Sequence, residues 1–259
     1  MSEGITLIIG GTGAIGTTVT HRLFDEGHRV VIAGRNSEAG DSLIENLRSK
    51  DSQKFAPEFV QVDISTDSSV STLVTHVKQM NTKIRMLVFL PAAPTDGGID
   101  TASITAILEA VNVKVGGLLR MVRALDPLFT DGSAIVVIGG NLAYDPIPHA
   151  ATSGIANAAL ANAVRQLQFP LGEKGVRIHV VAPGPVDTQR WWQLAQSEAD
   201  TRGTSTDAIL AGATASSSLN RLTTTEEVAW AVATLADPHA AALTGSTWLL
   251  DTGRRTASP

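Results

Sequence analysis

The chain has no cysteine, and a single tyrosine, Tyr144, among its 259 residues. Without thiols there is no disulfide framework, no thiolate nucleophile and no cysteine-based metal site, and no metal is expected. There is no run of basic residues, and the formal net charge is −5. That argues against a nucleic-acid footprint and against a patch for anionic membranes. No apolar run approaches the roughly 18 residues that suggest a transmembrane helix. The start, Met1-Ser2-Glu3-Gly4, lacks the basic region of a signal peptide, so the cytoplasm is the expected compartment. What is present is ordinary for a globular chain: 43% hydrophobic and 17% charged residues. The length suits one large α/β domain with a well-buried core.

Short β-branched apolar runs alternate with helical patterns. Candidate strands cover 6–9, 30–33, 58–62, 86–90, 134–138, 177–182 and 246–250. Each is too short for a core helix, and most are bounded by Gly, Pro or Asp. Helix-length segments lie between them, such as 15–26 and 104–125. Strand–helix alternation along the whole chain predicts a single Rossmann-like, doubly wound domain over 1–259. Its seven-stranded parallel sheet would carry helices on both faces. The segment 193–220 differs in texture, being rich in Ser, Thr, Ala and Gly. It reads either as a substrate lid or as a surface loop with short helices.

Leu7-Ile8-Ile9-Gly10-Gly11-Thr12-Gly13-Ala14-Ile15-Gly16 passes from a predicted strand into a predicted helix. Gly11, Gly13 and Gly16 satisfy G-x-G-x-x-G, a turn that lets backbone approach a pyrophosphate at a helix N-terminus. After the second strand, where an NAD site usually carries an acidic residue, the chain has Arg35 and Asn36. A guanidinium suits a 2′-phosphate, which favours NADP(H). Asp63, after the third strand, can accept from an adenine amine or cap the helix starting near Thr66.

Several further segments resemble the short-chain dehydrogenase/reductase family. They are Pro183-Gly184-Pro185-Val186-Asp187-Thr188, the run from Arg221 to Ala229 containing Glu226-Glu227-Val228, and the closing Thr244-Gly245 to Asp251-Thr252-Gly253. Asn112 matches the family's mid-helix asparagine. The resemblance spans nearly the whole chain. It implies a nicotinamide cofactor held by Gly10, Thr12, Gly13, Ile15, Gly16, Arg35, Asn36, Asp63, Ile64, Pro91, Ala92, Asn157, Pro183, Gly184, Val186 and Thr188.

The departures fall on the chemistry. The family's Asn-Asn-Ala-Gly is replaced by Phe89-Leu90-Pro91-Ala92, and Ala14 stands where many members have glycine. The family's Ser, and its Tyr-x-x-x-Lys thirteen positions on, align with Gly140, Ser153 and Asn157. A serine hydroxyl is too weak an acid to replace the phenol, and losing a positioned acid typically costs about 10²–10⁴ in rate. Asn157 can still hydrogen-bond a ribose. Tyr144 and His149 are conceivable substitute acids; the bland alternatives are wall packing and a surface loop. The catalytic candidates are thus Asn112, Tyr144, Ser153 and Asn157. Gly140, Asn141, Tyr144, His149, Arg190, Trp191 and Trp192 would line the substrate pocket.

Three readings follow. The first is an NADPH-dependent reductase of an activated C=N, C=C or C=O bond in a small metabolite, cyclic ones included. The second is a non-redox cyclase, isomerase or lyase on the same fold. The third is an NADP(H)-binding pseudoenzyme or regulator. The resemblance also implies a homodimer or homotetramer, associating through the helices at 104–125 and 154–169.

Overall fold

A computed structural model describes residues 4–50, 55–93 and 97–254. Residues 1–3, read above for a leader, lie outside them. Seven parallel strands form one sheet in the order β3-β2-β1-β4-β5-β6-β7. They are β1 (Ile5–Ile9), β2 (Arg29–Gly34), β3 (Glu58–Gln61), β4 (Ile84–Phe89), β5 (Phe129–Ile138), β6 (Arg177–Pro183) and β7 (Thr247–Leu250). All seven predicted strands are present. Those in the middle are continuous apolar runs because helices cover both faces of the sheet; β1 is buried at every position.

The helices are α1 (Ala14–Asp25), α2 (Ser37–Lys50), α3 (Asp67–Gln79), α4 (Ile104–Val111), α5 (Gly117–Leu125), α6 (Ala151–Gly172), α7 (Gln189–Arg202), α8 (Thr206–Ala215) and α9 (Thr225–Ala236). Two cores result. Leu73 of α3, Leu118 of α5 and Leu160 of α6 pack on one face of the sheet with Leu7 and Val137. Val19 of α1, Leu43 of α2 and Val232 of α9 pack on the other with Ile8 and Val136. None of the described helices is long and apolar enough to cross a membrane.

Two local features bear on the site. The predicted helix over 104–125 is not continuous. A π turn, Asn112–Gly116, separates α4 from α5, with the Gly117 N–H bonded to the Asn112 carbonyl. It re-phases every side chain that follows. The Arg-x-x-x-x-Glu-Glu-Val-Ala segment forms the start of α9 through a reciprocal capping box. The Thr224 hydroxyl accepts from the Glu227 N–H, and the Glu227 carboxylate accepts from the Thr224 N–H and from Arg221.

Candidate active site

The strand order reverses between β1 and β4, so a crevice opens beyond their carboxyl ends. Its floor is the turn from β1 to α1. Gly10 has φ +87°, and a Cβ there would stand 2.8 Å from the Leu90 carbonyl. At Gly16 a Cβ would collide with the Gly10 carbonyl oxygen. Gly10 and Gly16 are therefore the glycines this turn requires. This corrects the frame read from Gly11: that residue is instead packed beneath Ile32, whose Cγ2 lies 2.7 Å from a Cβ placed there. Gly13 occupies the N-cap of α1 and brings no side-chain cap, so the first N–H groups of the helix face the crevice. The Thr12 hydroxyl leans towards the end of β2, 3.2 Å from a Cβ placed on Gly34. Ile15 packs into the core behind the turn.

Arg35 and Asn36 follow β2 and are exposed. The Arg35 carbonyl accepts from Gln61 Nε2 at 2.9 Å, leaving the guanidinium outside that bond. Asn36 Oδ1 accepts from the Ala39 N–H at 3.0 Å, so its side chain begins α2. Asp63 does not cap α3. Its carboxylate accepts from both the N–H and the hydroxyl of Ser65. The Ser65 hydroxyl bond chiefly holds its pKa below the ordinary aspartate value. The Ile64 side chain is buried against Gly117, so only its backbone can face the crevice. Pro91 and Ala92 continue from β4 beside Gly10.

At the ends of β5 and β6 the predicted residues separate. Gly140 and Asn157 meet: a Cβ on Gly140 would stand 2.7 Å from Asn157 Nδ2. Asn157 is buried, and its Oδ1 has no partner among the described residues; the same holds for Asn141 Nδ2. Ser153 is half-buried one turn before Asn157 on α6.

Asn112 is directed elsewhere, donating to the Ser65 carbonyl at 3.2 Å on the β3 side. Tyr144 is turned towards β7, where its hydroxyl has a partner. Its hydroxyl is bonded to Thr247 Oγ1 at 2.7 Å. Thr247 begins β7 and pairs with Val180, which pairs with Val137 near the end of β5. His149 is exposed on a 3₁₀ turn.

Beyond β6, Pro183 ends the strand and Gly184 N–H donates to the Leu250 carbonyl. Asp187 N–H and the Pro185 carbonyl pair with Thr223, which turns the Val186 peptide groups to the opposite side. The Thr188 hydroxyl is spent locally. It caps α7 by accepting from Trp191 N–H and donates to the Val186 carbonyl. Arg190 reaches back to the Ala93 carbonyl at 2.9 Å, tying the start of α7 across the crevice to the segment after β4. Trp191 and Trp192 meet edge to face at 4.8 Å, and Trp192 Nε1 donates to Asp187. The segment read as a lid is the helical pair α7–α8, joined through left-handed Gly203 and tied at its far end by Ser217 to Thr252.

One residue escaped the sequence reading. Lys114, in the π turn, is buried and donates to the Ile138 carbonyl at 3.2 Å. Its signal was available: one cation between Val113 and Val115 in an otherwise apolar stretch.

A family model described as Enoyl-(Acyl carrier protein) reductase matches residues 10–255. Similar curated proteins include the Dehydrogenase/reductase SDR family member 4 of Caenorhabditis elegans. It is 29% identical over 93% of this chain and 91% of that protein. The peroxisomal 2,4-dienoyl-CoA reductase of Danio rerio is 27% identical over 98% and 82%. Among solved structures, an NADPH-bound short chain oxidoreductase from Pseudomonas aeruginosa PAO1 "containing an atypical catalytic center" superposes with a TM-score of 0.88. It is 25% identical, with 98% of each chain covered.

Proposed function

The chain belongs to the short-chain dehydrogenase/reductase family of oxidoreductases, and from that premise we propose that it is an NADPH-dependent reductase with a non-standard active site. Its substrate is a small metabolite, cyclic ones included, with an activated C=N, C=C or C=O bond. The observation that carries this reading is the Gly10–Gly16 turn at the point where the strand order reverses, together with the close pair Gly140 and Asn157 at positions aligned with the family's serine and lysine.

The residues fit the cofactor. The Gly10–Gly16 turn and the uncapped start of α1 would take the pyrophosphate. Arg35, exposed after β2 and within electrostatic reach of Asp63, would take a 2′-phosphate. The unpartnered Asn157 Oδ1 is an acceptor suited to a ribose hydroxyl. The Val186 backbone faces the nicotinamide end. When bound, NADPH supplies a hydride. The chain's own part is to orient both reactants and exclude water. Arg190, the Trp pair and the α7–α8 lid do this across the mouth of the crevice. A substrate whose product anion needs no strong acid fits this inventory. Addition to an iminium carbon yields a neutral amine directly, and a conjugated enone yields a stabilised enolate. The 2,4-dienoyl-CoA reductase named among the relatives reduces a substrate of the conjugated type. Exposed Ile104 and Leu108 on α4 and Phe169 on α6 support association of copies through these helices.

The test is stopped-flow loss of NADPH absorbance with a panel of cyclic imines and conjugated enones. Loss is expected with at least one, and a flat trace with all would sink the reading. Product that still forms after the cofactor is stripped would point to a non-redox enzyme instead.

A further inference from the structure

Lys114 takes no part in the cofactor contacts proposed above, yet it is buried beside the end of β5 that leads into Gly140. The π turn that carries it packs against α6, and its Nζ meets the carbonyl of Ile138. Ile138 ends β5 two residues before Gly140, the neighbour of the Asn157 amide. An ammonium carries three donors, and among the described residues Ile138 is the acceptor it meets. Burial, with the Arg190 guanidinium adding to it, lowers its pKa to about 8, and no carboxylate offsets either effect. Burying an ammonium without an anion is costly. An uncharged donor would hold one carbonyl at less cost, so the charge itself needs a purpose. A group that holds its proton at neutral pH and can release it near that pH is suited to acid catalysis.

Resting on the reductase reading above, we infer that Lys114 is the acid of this site, replacing the absent Tyr–Lys pair with one protonated amine brought in from the π turn. On reduction of a carbonyl or enone, the electron pair displaced from the double bond moves to the substrate oxygen. That oxygen forms an O–H bond as one Nζ–H bond breaks. The neutral amine regains its proton from water. The π turn is what makes this possible, because it turns Lys114 rather than Asn112 towards β5.

The same ammonium also acts on the cofactor. It repels the positively charged ring of NADP+ but not the neutral ring of NADPH, so it favours binding of the reduced form and release of the oxidised one. The experiment measures Kd for NADPH and NADP+ by titration on the full chain, for wild type, Lys114→Met and Lys114→Arg. Turnover is read on a conjugated enone that the wild type reduces, where the substrate oxygen must gain a proton. The Met variant, similar in length but uncharged, should lower the ratio of Kd(NADP+) to Kd(NADPH) about tenfold. The Arg variant should keep that ratio within about twofold, yet lose roughly 10²-fold in turnover, because a guanidinium does not release its proton. A lysine that only braced the end of β5 would leave the ratio unmoved in the Met variant. That result overturns the inference, as does wild-type turnover by the Arg variant. If the Arg variant does not fold, the ratio in the Met variant decides. A wild-type protein that binds neither cofactor form defeats the reductase reading and this inference with it, and that is distinct from a ratio that does not move.

Discussion

The Asn157 amide nitrogen stands 2.7 Å from where a Cβ on Gly140 would be, so these two residues share one space. The missing serine and the missing lysine of the family pattern are thus structurally coupled: a side chain at 140 requires the one at 157 to move. The obstructing atom is the tip of a side chain, not backbone, so the fold can adapt by turning the amide. Gly140→Ser should therefore leave the melting temperature within about 2 °C of wild type, a shift below about 1 kcal/mol. It should weaken NADPH binding about tenfold by displacing Asn157 Oδ1, one hydrogen bond's worth. Gly140→Ser combined with Asn157→Ala should bind no more weakly than Asn157→Ala alone. A further loss in the double variant would show the two positions to be independent.

Arg35 tests the choice of cofactor. Arg35 and Asn36 after β2 offer no carboxylate to the ribose hydroxyls of NADH, and Arg35 is exposed there. Arg35→Ala should raise Kd for NADPH by about 10- to 100-fold, the loss of charge-assisted hydrogen bonds. Kd for NADH should change little. Equal weakening of both would remove the 2′-phosphate from its proposed place.

Glycines at two positions should respond in opposite senses. At Gly16 a methyl group meets the Gly10 carbonyl oxygen, which is backbone and cannot swing aside. Gly16→Ala should destabilise the chain by about 1–3 kcal/mol and abolish NADPH binding. Gly212 lies within α8 with nothing inside 4 Å of an added Cβ. Gly212→Ala should stabilise by about 0.5–1 kcal/mol through helix propensity. Urea unfolding of the two variants decides both.

Tyr144 shows which part of a site can be read from sequence. Its position, four residues after Gly140, was legible, but its direction was not. A loop side chain can face the pocket or the sheet, and the partner that orients it, Thr247, is 103 residues away. Lys114 was missed for a related reason. Nothing in the residue types between Asn112 and Gly116 announces a π turn, and that turn decides which side chain faces β5. The strands were legible because each is a short β-branched run buried on both faces. The crevice was legible because backbone approach demands glycine, although Gly10 proved to be the turn residue in place of Gly11. Replacing Tyr144 with Phe should leave turnover unchanged and cost about 1 kcal/mol in stability, the worth of its bond to Thr247. A large fall in turnover without loss of stability would return the phenol to the site.

The dependence of stability on pH should be set largely by two histidines far from the crevice chemistry. His28 is buried with its ring bonded to the Thr6 hydroxyl at 2.8 Å. His179 is buried in β6 with Nδ1 on the Leu243 carbonyl. Burial lowers the pKa of each to about 4, with nearby Arg85 adding to the effect at His28. At His179 the bond to Leu243 opposes it. In the unfolded chain each should titrate at its ordinary value of about 6.5. Between those limits the unfolded state binds more protons than the folded one, so stability rises with pH. The contribution is complete above about pH 6.5 and is lost as pH falls towards about 4, on the order of 3 kcal/mol per histidine at most. Urea midpoints measured from pH 4 to 7 should fall on acidification across that window. His28→Gln should flatten the slope by about half, because a neutral amide can still pair with Thr6 and gains no proton. A slope unchanged in that variant would mean that His28 titrates normally and is not held neutral by burial.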